Sequence, residues 1–218
     1  QALPVSKEVT AQLVRELHAA DVRETTFYHY NHFRDNCTTR LRDLVDRAVR
    51  GALRNATGGN QVDPPLRHYV RTGLAGDLFL LTVSDIVLGR EVDRPTSRWE
   101  GMFLPSVLRG ELAARLGSLP QTVVSGRQEP DPSESGRRGG VYVLVGLAVF
   151  SALLTALLRK LGRETAARIA AGLLPGLIGF FVWSLAIFSP LPELRYNEVL
   201  LLCWPTDLLL PMLSAARL

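Results

Sequence analysis

Cys37 has the plainest chemical potential in this chain. Leu41, Leu44, Val45 and Ala48 follow it at i+4, i+7, i+8 and i+11. That spacing predicts an amphipathic helix whose first turn carries the thiol on the core-facing side. At a helix N-terminus the first backbone N–H groups are unpaired, and the positive end of the helix dipole favours thiolate, the nucleophilic form. The same N–H groups can donate to the oxyanion formed when sulfur attacks a carbonyl. Arg34 and Arg40 add positive potential, and Asp35 offsets part of it. A cysteine nucleophile also needs a general base, usually histidine. His29 and His32 are the local candidates, while His68 and His18 are more remote. The competing reading of Cys37 is a small buried cysteine that only packs. A zinc site from His29, His32, Cys37 and His68 lacks the paired spacing of zinc motifs. We expect no metal and no cofactor.

The elements that must position Cys37 can be read outward from it. Ser6 caps a helix carrying Val9, Leu13, Val14 and Leu17 on one face. The aromatic stretch Phe27 to Phe33 has strand-like composition. After the cysteine helix, Gly51 and the Asn55-Ala-Thr-Gly-Gly-Asn60 run predict an ending and a loop. Further helices are expected over about Pro65–Thr72 and Asp77–Leu88, then Arg94-Pro95 as a turn. Trp99 to Leu116 reads as helical segments interrupted at Pro105, and Gln121 to Gly126 as a short strand. The fold class is therefore α+β, with a mostly helical polar domain over residues 1–128. A Pro/Ser/Gly/Arg linker over 129–140 follows, and then an apolar region over 141–218.

Charge separates these regions. Residues 1–140 hold 19 of the 25 Lys and Arg and 17 of the 21 Asp and Glu. The net charge of +4 is spread along the chain, without a basic block or an aromatic-interleaved motif, so nucleic acid is not an expected partner. Val141–Leu158 and Ile169–Phe188 contain no charged residue. Eighteen helical residues span roughly 27 Å, enough for a bilayer core. Two such runs side by side predict a transmembrane hairpin with the lipid bilayer as partner. Pro175 and Gly176 are tolerable within a membrane helix, and Trp183 suits an interfacial anchor. Arg159, Lys160, Arg163 and Arg168 surround the turn against one acid, Glu164. Short basic loops stay cytoplasmic, so the polar domain is expected outside, in the periplasm of a Gram-negative cell. Val199–Leu213 is interrupted by Pro205, Asp207 and Pro211 and reads as re-entrant, interfacial or packed on the hairpin. Cys37 and Cys203 fall on either side of the boundary and are expected to be free thiols. Gln1, directly before a helical pattern, suggests a partial or processed sequence.

The string Tyr30-Asn-His-Phe-Arg-Asp-Asn-Cys-Thr-Thr-Arg-Leu-Arg-Asp-Leu-Val-Asp46 resembles the signature of the bacterial Lnb N-terminal periplasmic domain family. Residues 85–95, 99–105 and 196–208 are similar to its later blocks, with Val199 standing where the family's C-terminal segment has Asn. The resemblance implies a permuted papain-like fold, related to NlpC-type peptidases and lecithin-retinol acyltransferases. It implies a bacterial inner-membrane protein with its N-terminal domain in the periplasm. Cys37 would be the nucleophile, with Arg34, Asp35, Asn36 and Arg40 as supporting neighbours. The family's histidine lies on a Gly-His strand before the cysteine helix, which here falls upstream of residue 1. The implied activity is that of a cysteine hydrolase, peptidase or acyltransferase acting on amide or ester bonds, with peptidoglycan or lipid as candidate substrates. The alternative is a non-catalytic envelope binding or scaffold protein in which Cys37 is structural.

Overall fold

A computed structural model describes residues 6–20, 28–59, 62–116 and 133–209. The described chain is mostly helical. It runs α1 (Lys7–Ala20), α2 (Cys37–Ala48), α3 (Ala52–Thr57), β1 (Val62–Asp63), α4 (Leu66–Leu74) and α5 (Leu78–Val87). A 3-10 turn (Arg90–Val92) leads to β2 (Thr96–Ser97), α6 (Arg98–Gly101) and α7 (Pro105–Leu116). Then come α8 (Glu134–Arg137), α9 (Gly139–Lys160), α10 (Glu164–Phe188), α11 (Pro192–Arg195), α12 (Val199–Leu202) and a 3-10 turn (Pro205–Leu209). Two compact units result: Gln1–Leu66 with Pro95–Glu129, and Arg67–Arg94 with Pro130–Leu218.

The first unit is built around α2. The Ser6 hydroxyl accepts from the Val9 amide at 3.3 Å and starts α1, which packs along α2. Arg47 of α2 pairs with Glu16 of α1 at 2.7 Å. At the far end of α2, Gly51 sits at φ +80° and donates its amide to Asp46 O at 2.8 Å, a turn that favours glycine because it has no Cβ. Leu53, Met102 and Leu108 form the buried core, wrapped by Val45, Val49, Trp99, Val107 and Leu112. β1 and β2 pair antiparallel, Val62 opposite Ser97 and Asp63 opposite Thr96, which ties 62–63 to the start of α6. Ser97 and Glu100 then cap α6 reciprocally.

Three local expectations change here. The aromatic stretch is not a strand where it is described: residues 28–30 are irregular and 31–35 form a turn closed by a bridge between Asn31 and Asp35. Asn55 to Thr57 lie in α3 instead of a loop, because the chain restarts a helix directly after Gly51. Cys37 and Leu41 are exposed, not core-facing; the buried residues of α2 are Thr38, Thr39, Arg42, Leu44 and Ala48. The face rotates because Arg42 is buried by stacking on Trp99, a partner 57 residues away that helical periodicity does not reveal.

The second unit contains the apolar helices. Asp77 caps α5 by accepting from the Leu80 amide at 2.9 Å. α9 and α10 pack on each other and are joined through Leu161–Arg163. At about 1.5 Å per residue they reach roughly 33 and 37 Å, long and apolar enough to cross a membrane. None of the most apolar eighteen residues of α9 is buried, which sets it apart from the core helix of a soluble protein. Part of the expected linker is helical: α8 covers Glu134–Arg137, and Gly139 and Gly140 already belong to α9. The expected strand at Gln121–Gly126 lies outside the described residues.

The described part of the third apolar stretch, residues 199–209, packs on α10. Glycines permit the approach. A Cβ on Gly179 would lie 2.7 Å from Cys203 O, and one on Gly176 2.8 Å from the Leu208 backbone nitrogen. Trp183 and Trp204 stack at 5.3 Å between centroids. Residues 86–90 are laced to 193–197. Gly89 N donates to Glu193 O and Arg90 N to Tyr196 O, while the Asn197 amide group donates to the carbonyls of Ile86 and Val87.

Candidate functional site

The turn before Cys37 is held by side chains whose types the sequence dictates. Asn31 Oδ1 accepts from the amides of Phe33 (3.0 Å) and Arg34 (2.9 Å), so the side chain imitates a turn of backbone. The Asn31 and Asp35 backbones exchange two hydrogen bonds of 3.0 Å. Asn36 then starts α2. Its Oδ1 accepts from the Thr39 amide at 2.8 Å, and Thr39 Oγ1 accepts from the Asn36 amide at 2.8 Å. Asn36 is buried, and its Nδ2 donates to His32 O at 2.7 Å and Phe103 O at 3.1 Å. One side chain thus fixes the turn, the helix start and the long-range contact to the 98–103 segment.

Cys37 is the first residue of α2, and its thiol is exposed. Asn36 occupies the Thr39 amide, while the amides of Cys37 and Thr38 have no hydrogen-bond partner among the described residues. Sγ lies 4.0 Å from Thr38 Oγ1 and makes no other hydrogen bond among those residues. The arrangement offers a reachable sulfur beside two N–H donors, the geometry for attacking a carbonyl and receiving its oxyanion.

The charged neighbours are engaged elsewhere. Arg40 forks onto Asp35 through Nε at 2.8 Å and Nη2 at 3.1 Å, and its guanidinium lies 3.5 Å from the Tyr28 ring centroid. The hydrogen bond that Arg40 donates to Asp35 holds the guanidinium above its ordinary pKa. Arg34 is exposed, with its amide on Asn31. His29 is exposed. The ring of His32 stands edge-on to Phe33 and Phe103, at 5.1 and 5.8 Å, and no hydrogen bond links it to Cys37. Arg34, Asp35, Asn36 and Arg40 therefore gather around the thiol turn, whereas neither histidine bonds to the sulfur. Among the described residues, no three His, Cys, Asp or Glu side chains converge as a metal site.

Sequence reasoning missed Arg42. It is buried, with its guanidinium 4.0 Å from the Trp99 ring centroid and Nη1 donating to Trp99 O at 3.1 Å. Together with Asn36 and Phe103 it locks α2 to residues 98–103. Arg42 lies off the stripe of Leu41, Leu44, Val45 and Ala48, so helical periodicity gave no signal of its burial.

Residues 1–72 match the family model of the Lnb N-terminal periplasmic domain. The match takes in α1, α2, α3 and β1, and so the whole turn that presents Cys37. The long apolar helices lie beyond the Lnb N-terminal match, as do the blocks at 85–95, 99–105 and 196–208. No curated protein and no solved structure matches this chain.

Proposed function

We propose that this is an inner-membrane protein with a periplasmic Lnb N-terminal segment, acting as a cysteine hydrolase or acyltransferase through Cys37. The exposed thiol at the capped start of α2, beside two unengaged amides, carries the reading. In this scheme Sγ attacks an amide or ester carbonyl, and the amides of Cys37 and Thr38 receive the oxyanion. Collapse forms a thioester, and the thiol proton leaves with the amine or alcohol. Water or a second nucleophile then takes the acyl group. A permuted papain-like fold belongs to this proposal. So do peptidoglycan or lipid as the substrate class. The lack of a histidine on Sγ favours the second reading, a non-catalytic envelope module.

The experiment is intact-mass analysis of the full chain in nanodiscs after exposure to activated ester and thioester acyl donors. We expect a hydroxylamine-sensitive adduct on Cys37, absent from Cys37→Ser and retained in Cys203→Ser. Acylation of Cys37 no faster than that of the same chain in denaturant would sink the catalytic reading. Membrane orientation has its own measurement. A cysteine at Lys160 should resist an impermeant maleimide in intact cells and react in inverted membranes. Labelling from outside would reverse the topology.

A further inference from the structure

α5, in the second unit, is unusually apolar for a helix with so much of its first turn exposed. Its ten residues, Leu78-Phe-Leu-Leu-Thr-Val-Ser-Asp-Ile-Val87, contain one ionisable group, Asp85. That carboxylate is buried and neutralised by Arg71 Nε at 2.8 Å, with Arg67 Nη1 at 3.7 Å. Leu81 is fully buried, yet Leu78, Phe79 and Leu80 are 52%, 74% and 46% exposed. Three consecutive exposed apolar residues are unfavourable on a surface that faces water.

Their position tells what they face. α5 packs against the first turn of α9, where a Cβ on Gly140 would lie 2.6 Å from Asp85 Oδ2 and 3.0 Å from Leu81 O. A Cβ on Gly139 would lie 3.0 Å from Leu78 Cδ1. The C-terminal end of α5 is bonded through Asn197 to the segment that follows α10. In an antiparallel hairpin, the start of α9 and the end of α10 lie at the same end. α5 therefore lies at the end opposite the basic loop. The exposed apolar faces of α9 and α10 continue from it through Tyr142 and Val145, with Tyr196 exposed at the same end. At about 15 Å, α5 is too short to span a bilayer, and tyrosines suit the membrane–water boundary.

We propose that α5 is an interfacial membrane anchor, its first turn Leu78-Phe79-Leu80 inserted among the lipids of the leaflet that meets the start of α9. Asp77, the exposed cap, stands at the helix end that meets the headgroups. This rests on the reading of α9 and α10 as a bilayer hairpin. A stretch within the nominally polar region thus joins the membrane, and the occupant of its exposed face is lipid.

The test uses the full chain in liposomes on a Cys37→Ser, Cys203→Ser background. Fluorescent labels go on Phe79→Cys, on Phe150→Cys of α9 and on Asn55→Cys of α3. Each is titrated with aqueous iodide and with shallow and deep nitroxide lipids. We expect position 79 to be quenched at least threefold more by shallow nitroxide lipid than by iodide. Position 150 should respond to deep nitroxide lipid, and position 55 to iodide. Iodide quenching of position 79 with position 150 still lipid-quenched would overturn the anchor and leave the hairpin standing. Position 79 shielded from both quenchers would mean that protein, such as a second copy, covers the face, and would also overturn it. Iodide quenching at 79 and 150 together would remove the hairpin reading and the anchor with it.

Discussion

The Cys37 turn and the apolar helices solve the problem of holding a chain segment by opposite means. Around Cys37 the holding groups are polar and directional: Asn31 shapes the turn, Asn36 caps the helix and reaches Phe103, and Arg42 stacks on Trp99. Around α9 and α10 the holding positions are residues with almost nothing on them. Gly140, Gly176 and Gly179 let neighbouring backbones come close enough for van der Waals contact along the helices. Asn36 and Arg42 are buried, and the hydrogen bonds they make offset the cost of taking them from water. Along apolar helices an unpaired polar group finds no partner, so small residues and shape take over. The junction of 86–90 with 193–197 uses both devices: hydrogen bonds from Asn197, and a glycine at 89 pressed against Tyr196.

Trp99 reports on the first unit and the Trp183–Trp204 pair on the second, so tryptophan variants can follow each by itself. The largest effect should come from Leu44→Asp. Leu44 is buried on α2, and an unpaired carboxylate there should cost about 4 kcal/mol. With Trp183 and Trp204 replaced by Phe, the Trp99 unfolding midpoint should collapse; an unchanged midpoint would mean that this face of α2 is not buried. Next is Gly89→Ala in the second unit. Its Cβ would fall inside contact distance of Tyr196 O, against rigid backbone, for about 3 kcal/mol. Here the Trp183–Trp204 signal should shift while Trp99 does not.

Asn36→Ala should cost about 2 kcal/mol, since it removes the cap and the donor to Phe103 O. Asn36→Asp should keep the cap but not the donor, and so recover part of the loss in the same unfolding measurement. Equal losses for both would show that the cap adds nothing. The smallest effect concerns pH. The hydrogen bond from Arg47 lowers the Glu16 pKa, so the contact of α1 with α2 favours folding at pH above the ordinary glutamate range. That contribution is lost as pH falls through the lowered value. Acidification should increase amide exchange across α1 in wild type more than in Glu16→Gln, and equal responses would discount the pair.

Much was legible in advance because it depends on near neighbours in sequence. The helix opening at Cys37, the helix over about Asp77–Leu88, the interruption at Pro105 and the two long apolar helices follow from periodicity, the placement of proline and runs without charge. Both cysteines are free thiols, as their placement on either side of the domain boundary implied. The turn at 31–35 was misread because its aromatic composition mimics a strand. What prevents a strand there is Asn31, whose side chain satisfies two amides of its own turn.

The sequence by itself determined that this chain holds two helices fit for a bilayer and a cysteine at the head of an amphipathic helix. Those features need only hydropathy and spacing. Tertiary structure alone decided which way the cysteine helix faces, because burial of Arg42 depends on Trp99, and distance along the chain carries no record of that contact. It also decided that α5 packs with α9. An apolar ten-residue helix is compatible with a soluble core or with a membrane surface. Only the close approach at Gly139 and Gly140 selects its neighbour, because nothing larger than glycine leaves room for it.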